Sequence, residues 1–196
     1  MNIARYIVAL LVIATLPSGL LFWFVVHPFI GFWRRQGPKI TYTVVIAMLL
    51  AVGTVLVLAR GVLLETEYGT NYVLVALAGV FYLIAAAIEL QCRKHLKFRI
   101  LVGMPELVPE PATGKLLTSG IYGRVRHPRY VSAFFGVVAV ALFSNYLAAY
   151  VIAGAMVPAL HALTFFEERE LRDRFGEEYA AYSRRVPKFV PSWSGN

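Results

Sequence analysis

Between Val131 and Phe166 the chain runs for 36 residues without a charged side chain, and both ends of that run are dense with charge. Thr118 to Tyr130, TSGIYGRVRHPRY, leads into it, and EEREL, Glu167 to Leu171, follows it. As one straight helix the run would be about 54 Å long, far more than the ~30 Å of a bilayer core. It is too short for two full spans with a long loop. Ser144-Asn145 is its only pair of adjacent polar residues. The pattern predicts a membrane hairpin with a short arm from about Pro128 to Phe143 and a fuller one from about Leu147 to Phe166. Such a hairpin returns the chain to the face it left, so the acids at 167–168 become neighbours of the basic-aromatic turn.

Three more apolar stretches precede the hairpin: Ile7–Val26, Ile40–Ala59 and Val73–Leu90. With 59% of residues apolar and 15% charged, the chain is far greasier than a soluble domain, where about 45–50% and about 25% are usual. The expected fold is an all-α integral membrane protein of about five transmembrane helices, with the C-terminal hairpin and a cytoplasmic amphipathic helix. Residues 1–92 form an N-terminal three-helix membrane region. Residues 93–196 hold a loop, the hairpin and the amphipathic helix, in the same structural domain. The first stretch outlasts the 7–15 residues of a signal-peptide core and is read as a retained helix. Pro17-Ser18-Gly19 is expected to kink or break it. Trp23, Phe24, Phe32 and Trp33 mark an interface belt.

The net charge of +8 follows topology. Of 19 Lys and Arg, 17 fall in the 34–39 loop, between Arg93 and Arg129, or after Phe166. Five spans with the N-terminus outside place all 17 in the cytoplasm, as the positive-inside rule requires. This reading puts the protein in a cell membrane (the inner one in a bacterium), with no nucleic-acid partner. Oligomeric state is not legible. Cys92 is the only cysteine, and His27, His95, His127 and His161 lack ligand spacing, so neither a disulfide nor a metal is expected. Glu89 is read as pairing with nearby cations or facing a polar cavity.

Residues 100–120 hold Pro105, Pro109 and Pro111 and several glycines, and are read as a loop packed over the membrane domain. After Glu167 the spacing of Leu171, Phe175, Tyr179 and Tyr182 predicts an amphipathic helix to Arg184. In the central turn, Gly120 and Gly123 permit close backbone approach. Pro128 suits the first turn of a helix, whose positive end suits a carboxylate or phosphate. His127 and Tyr130 can make directed hydrogen bonds, and Tyr122 offers an aromatic wall. With Glu167 and Glu168 opposite, the site has a basic half and an acidic half, as a zwitterionic ligand requires. The alternative is that the arginines set topology and the glutamates pair with Arg169 or Arg172.

LLTSGIYGRVRHPRYVS, followed one hairpin later by EEREL and FGEEYAAYSRRVPKFVP, resembles the isoprenylcysteine carboxyl methyltransferase family over roughly the last 80 residues. That family is related to the phosphatidylethanolamine N-methyltransferases and to the sterol reductases. The resemblance implies methyl transfer from S-adenosyl-L-methionine to a small apolar or lipid substrate in the membrane. It implies a cofactor site of Lys115, Leu116, Leu117, Tyr122, His127, Pro128, Tyr130 and Glu167. Catalytic roles fall to His127, Tyr130 and His161, the last as a base. Two positions depart from the family pattern. Leu163 stands where the family carries a substrate-binding arginine, and Leu107 where it carries a glutamine. The cofactor half is thus retained while the substrate half is not, which points to a lipid amine, a thiol or another apolar nucleophile. Two other readings stay open: an NADPH-dependent membrane reductase of the sterol reductase type, and a non-catalytic membrane protein that keeps the pocket.

Overall fold

The computed structural model describes residues 2–26, 28–94 and 116–191. Lys115, Leu107 and most of the proline-rich stretch lie outside them. The described chain is helical: α1 (Ile3–Val26), α2 (Ile30–Gln36), α3 (Pro38–Leu58), α4 (Arg60–Leu63), α5 (Tyr72–Arg93), a 3-10 turn (Gly120–Gly123), α6 (Pro128–Ser144) and α7 (Leu147–Arg185). Four of these, α1, α3, α5 and α7, are long and apolar enough to cross a membrane, and α6 is a shorter apolar helix. The protein is an all-α integral membrane protein. Leu50 and Val55 on α3 and Val73 and Leu83 on α5 are exposed, as side chains covered by lipid would be.

α1 is central and packs against α3, α6 and α7. It stays helical through Pro17, so of the kink or break expected at Pro17-Ser18-Gly19 the break does not occur. With no water in a bilayer core to take up freed backbone groups, the helix remains the cheaper state. Ala9, Val12 and Ile13 of α1 pack against Ala141, Tyr146 and Ala149 of the hairpin. Of the expected aromatic belt, Phe32 is exposed but Trp33 is buried, where its Nε1–H donates to the Val25 carbonyl at 2.8 Å and fastens α2 under the end of α1.

The α5–α6 pair is built from small residues. Ala78, Ala85 and Cys92 recur every seventh residue on the buried side of α5, and Gly136 of α6 lies against Ala85. Ser132 Oγ donates to the Ala85 carbonyl at 2.9 Å. Lipid provides no hydrophobic drive for helices to associate, so such close backbone approach and interhelical hydrogen bonds do that work.

The hairpin turn lies where Ser144-Asn145 predicts it. Asn145 adopts a left-handed conformation (φ 56°), and its Nδ2 donates to the Gly69 carbonyl at 2.9 Å. Tyr68 N–H donates to the Asn145 carbonyl and Leu147 N–H to that of Thr66, both at 3.1 Å. Arg5, almost fully buried, clamps this end of the molecule. It pairs with Glu67 at 3.0 Å and donates at 3.0 Å to both the Ser144 carbonyl and Thr70 Oγ1.

At the opposite end, α7 continues past Phe166 to Arg185, interrupted by non-helical geometry at Gly176 (φ 51°, ψ −125°). The amphipathic segment therefore does not begin as a new helix at Glu167. It prolongs the last span for two turns, and the chain reverses at Gly176, where only glycine is comfortable.

Candidate active site

Pro128 occupies the first turn of α6, with His127 as the cap residue. The turn before it is held from behind by the chain that leaves α7. Arg126 N–H donates to the Pro187 carbonyl at 2.9 Å and His127 N–H to that of Lys188 at 3.1 Å. Tyr182 OH donates to the Tyr122 carbonyl at 2.7 Å. These bonds leave the His127 ring buried and aimed at α7.

The hairpin brings the two glutamates to that ring. His127 Nε2 lies 3.0 Å from Glu168 Oε1, and Nδ1 lies 3.3 Å from Glu167 Oε2. Glu168 is the buried member and the more heavily engaged. Its Oε1 is 2.8 Å from Arg126 Nη1, and its Oε2 is 3.7 Å from Lys188 Nζ. Tyr179 OH accepts a long bond of 3.5 Å from Arg126. Burial works against a charged imidazole at His127, but the hydrogen bonds and charges of both glutamates overcome it and raise the pKa above the ordinary value. The two carboxylates therefore favour the protonated form of the ring between them. With the ring protonated, Arg126 and Lys188 leave the cluster one positive charge in excess.

The other residues singled out from the sequence divide around this core. The Tyr130 ring meets His127 edge-on at 5.5 Å. Tyr122 is turned toward the end of α5, where its hydroxyl bonds the Cys92 thiol, and burial raises its pKa well above the ordinary phenol value. Leu116 packs against Tyr179, Tyr182 and Val186, and Leu117 is half-buried nearby in sequence. His161 stands apart on α7, exposed, with the Phe189 ring 6.0 Å away. Phe189 is also 6.0 Å from His127, so one aromatic ring lies against both histidines. Glu89 pairs with Arg93 at 3.1 Å on the exposed end of α5. Among the described residues, no group of three His, Cys, Asp or Glu could hold a metal ion.

Glu168 was placed at the site with Glu167; three participants were given no role there from the sequence: Arg126, Lys188 and Phe189. The signal for the last two was Gly176 inside an otherwise regular amphipathic pattern, which marks the reversal that returns 186–189 to the turn. Glu168 does not pair with Arg169 or Arg172 in the structure. Its partners come from the turn and from the returning chain.

A buried histidine set between two carboxylates at the ends of apolar helices defines an integral membrane protein with a polar site at one end of its bundle. The chain belongs to the phospholipid methyltransferase family, whose model matches residues 73–178, from the start of α5 to just past the Gly176 reversal. It is similar to the protein-S-isoprenylcysteine O-methyltransferases of Mus musculus and Rattus norvegicus, 36% identical over 84 residues, which is 42% of this chain and 30% of theirs. It is also similar to the cobalt-zinc-cadmium resistance protein CzcN of Cupriavidus metallidurans, 38% identical over 80 residues, 40% of this chain and 37% of that protein. The chain thus spans about a third of the length of the curated relatives it matches. No solved structure matches it.

Proposed function

We propose that the protein transfers a methyl group from S-adenosyl-L-methionine to an apolar or lipid-borne acceptor at the membrane surface. The observation that carries this reading is the His127 cluster, whose charges complement the amino-acid end of that donor. Arg126 Nε is buried with no hydrogen-bond partner among the described residues and would take the donor's carboxylate. Glu167, whose side chain keeps 36% of its exposure, would take the ammonium. His127 and Glu168 hold these two groups in place, and Tyr130 walls the cluster on one side. The bound donor supplies a methyl group already activated as a sulfonium. What remains for the protein is alignment and the exclusion of water.

Held at both nitrogens by carboxylates, His127 is a positioning group and not a base. Among the described residues His161 has no such partners, and it lies within the apolar part of α7. It accepts the proton released when the acceptor's nucleophile forms its new bond to carbon and the sulfur–carbon bond breaks. Leu163 is fully buried with Val137, Met156 and Leu160, which puts hydrocarbon where a carboxylate-binding arginine would stand. A thiol, hydroxyl or amine on an apolar carrier fits better than a prenylcysteine carboxylate.

The test is methyl transfer in proteoliposomes supplied with donor labelled in its methyl group. Label should collect in the organic extract, and His161→Ala should lower kcat by about 10²–10⁴ while leaving donor binding intact. A folded, donor-binding protein that labels no lipid or lipid-borne acceptor would refute transfer.

A further inference from the structure

The chain beyond α7 makes two kinds of contact with the site from adjacent residues. Lys188 reaches back to Glu168, while the Phe189 ring lies at 6.0 Å from both His127 and His161. The two imidazoles differ sharply in setting: His127 is buried among charges, and His161 is exposed on an apolar helix. The returning chain meets both rings through Phe189, and Lys188 Nζ lies 5.7 Å from the centroid of that same ring. Its backbone carbonyls at 187 and 188 are already taken by the Arg126 and His127 N–H groups. Two backbone bonds and one ion pair thus hold a single aromatic side chain within 6.0 Å of both histidine rings.

We propose that Phe189 is the partition of the active site. Its ring separates a donor compartment around His127 from an acceptor compartment around His161, and so keeps water attending the charged cluster away from the reacting nucleophile. Phe189 determines specificity in the sense that matters for an activated methyl group: it favours an acceptor carried in hydrocarbon over water. The inference rests on the donor-site reading above, and it assigns to Phe189 a role distinct from packing, because ring volume and not mere foldedness should govern it.

The partition can be read without knowing the acceptor. In His161→Cys protein reconstituted in vesicles, the introduced thiol is challenged with a lipid-soluble maleimide and with a permanently charged, water-soluble thiosulfonate. Cys92, fully buried, provides the blank in unsubstituted protein. With Phe189 present the charged reagent should react at least about tenfold more slowly than the lipid-soluble one, since a charge is costly to carry through hydrocarbon. Adding Phe189→Ala should remove most of that difference, and Phe189→Trp should preserve it. Equal reactivity toward both reagents with Phe189 in place, or no change on Phe189→Ala, would overturn the proposal. Calorimetric donor binding on the unsubstituted protein and on Phe189→Ala reports separately on the donor-site reading. If the unsubstituted protein fails to bind the donor, that reading fails while the labelling still decides the partition. If Phe189→Ala alone loses the donor, Phe189 belongs to the donor compartment, and the partition is refuted.

Discussion

Lys188 Nζ lies 3.7 Å from Glu168 Oε2, although the two residues are 20 positions apart on a segment that is helical almost throughout. On a straight helix they would be about 30 Å apart. The reversal at Gly176 makes the contact possible, and the core of Tyr179, Tyr182 and Val186 against Leu171, Phe175 and Leu116 holds the two arms together. The site is therefore assembled from three directions: the turn before α6, the end of α7, and the chain returning from Gly176.

Substitution at Gly176 should loosen that assembly. Space is not the obstacle, because nothing lies within 4 Å of an added Cβ; the positive φ is. Gly176→Ala should cost about 1–3 kcal/mol, seen as a lower unfolding temperature, with weaker donor binding because Lys188 moves away from Glu168 and the turn.

The His127 cluster gives a pH dependence of definite sign. Its folded-state pKa lies above the ordinary 6.5, burial being outweighed by Glu167 and Glu168. The protonated ring is thus favoured by folding. The stabilisation is fully present below about pH 6.5 and is lost as pH rises through the raised value. The Tm difference between unsubstituted protein and His127→Gln should be largest at the acid end of a series from about pH 5.5 to about pH 9 and shrink toward the alkaline end. A gap that grows with pH would contradict the assignment.

At the far end of the bundle, the Arg5–Glu67 pair should respond unequally to loss of either partner. Arg5 is almost fully buried, while a quarter of the Glu67 side chain remains exposed. Glu67→Ala leaves a buried, uncompensated guanidinium and should cost about 3–5 kcal/mol. Arg5→Leu leaves a carboxylate that can rehydrate and should cost less. Reversible unfolding in mixed micelles would rank them, and the reverse order would show that the clamp is not organised around Arg5.

The α5–α6 seam offers a packing test. Ser132→Ala removes one interhelical bond and should cost about 0.6 kcal/mol. Ala85→Leu forces a large side chain between Ala85 and Gly136 and should cost about 1–3 kcal/mol. The two are separable by chemical denaturation in detergent.

Much of this was legible in the sequence because membrane helices are written in composition. The five apolar segments, the turn at Ser144-Asn145 and the meeting of His127 with the acids after the hairpin all follow from run lengths and charge placement. The depth of the signal ended there. Periodicity places Leu171, Phe175, Tyr179 and Tyr182 on a common face, but it does not reveal that the chain doubles back between Phe175 and Tyr179. That reversal depends on one glycine's backbone geometry. Lys188 and Phe189, past the end of that pattern, consequently receive no role from it. Glu167 and Glu168 enter together as the acidic half, because sequence cannot tell which of two neighbouring acids points inward. At Pro17 the break, one of the two expected outcomes, does not occur, because a break favoured in water is suppressed where no water can solvate it.

The central claim is that the cluster around His127 binds the methyl donor through Glu167. Calorimetric titration of S-adenosyl-L-methionine into the purified protein tests it most directly, with Glu167→Ala and His161→Ala titrated alongside. The account expects saturable binding to the unsubstituted protein, loss of that binding in Glu167→Ala, and its retention in His161→Ala. Undiminished binding to Glu167→Ala, or no binding by a folded unsubstituted sample, would contradict it.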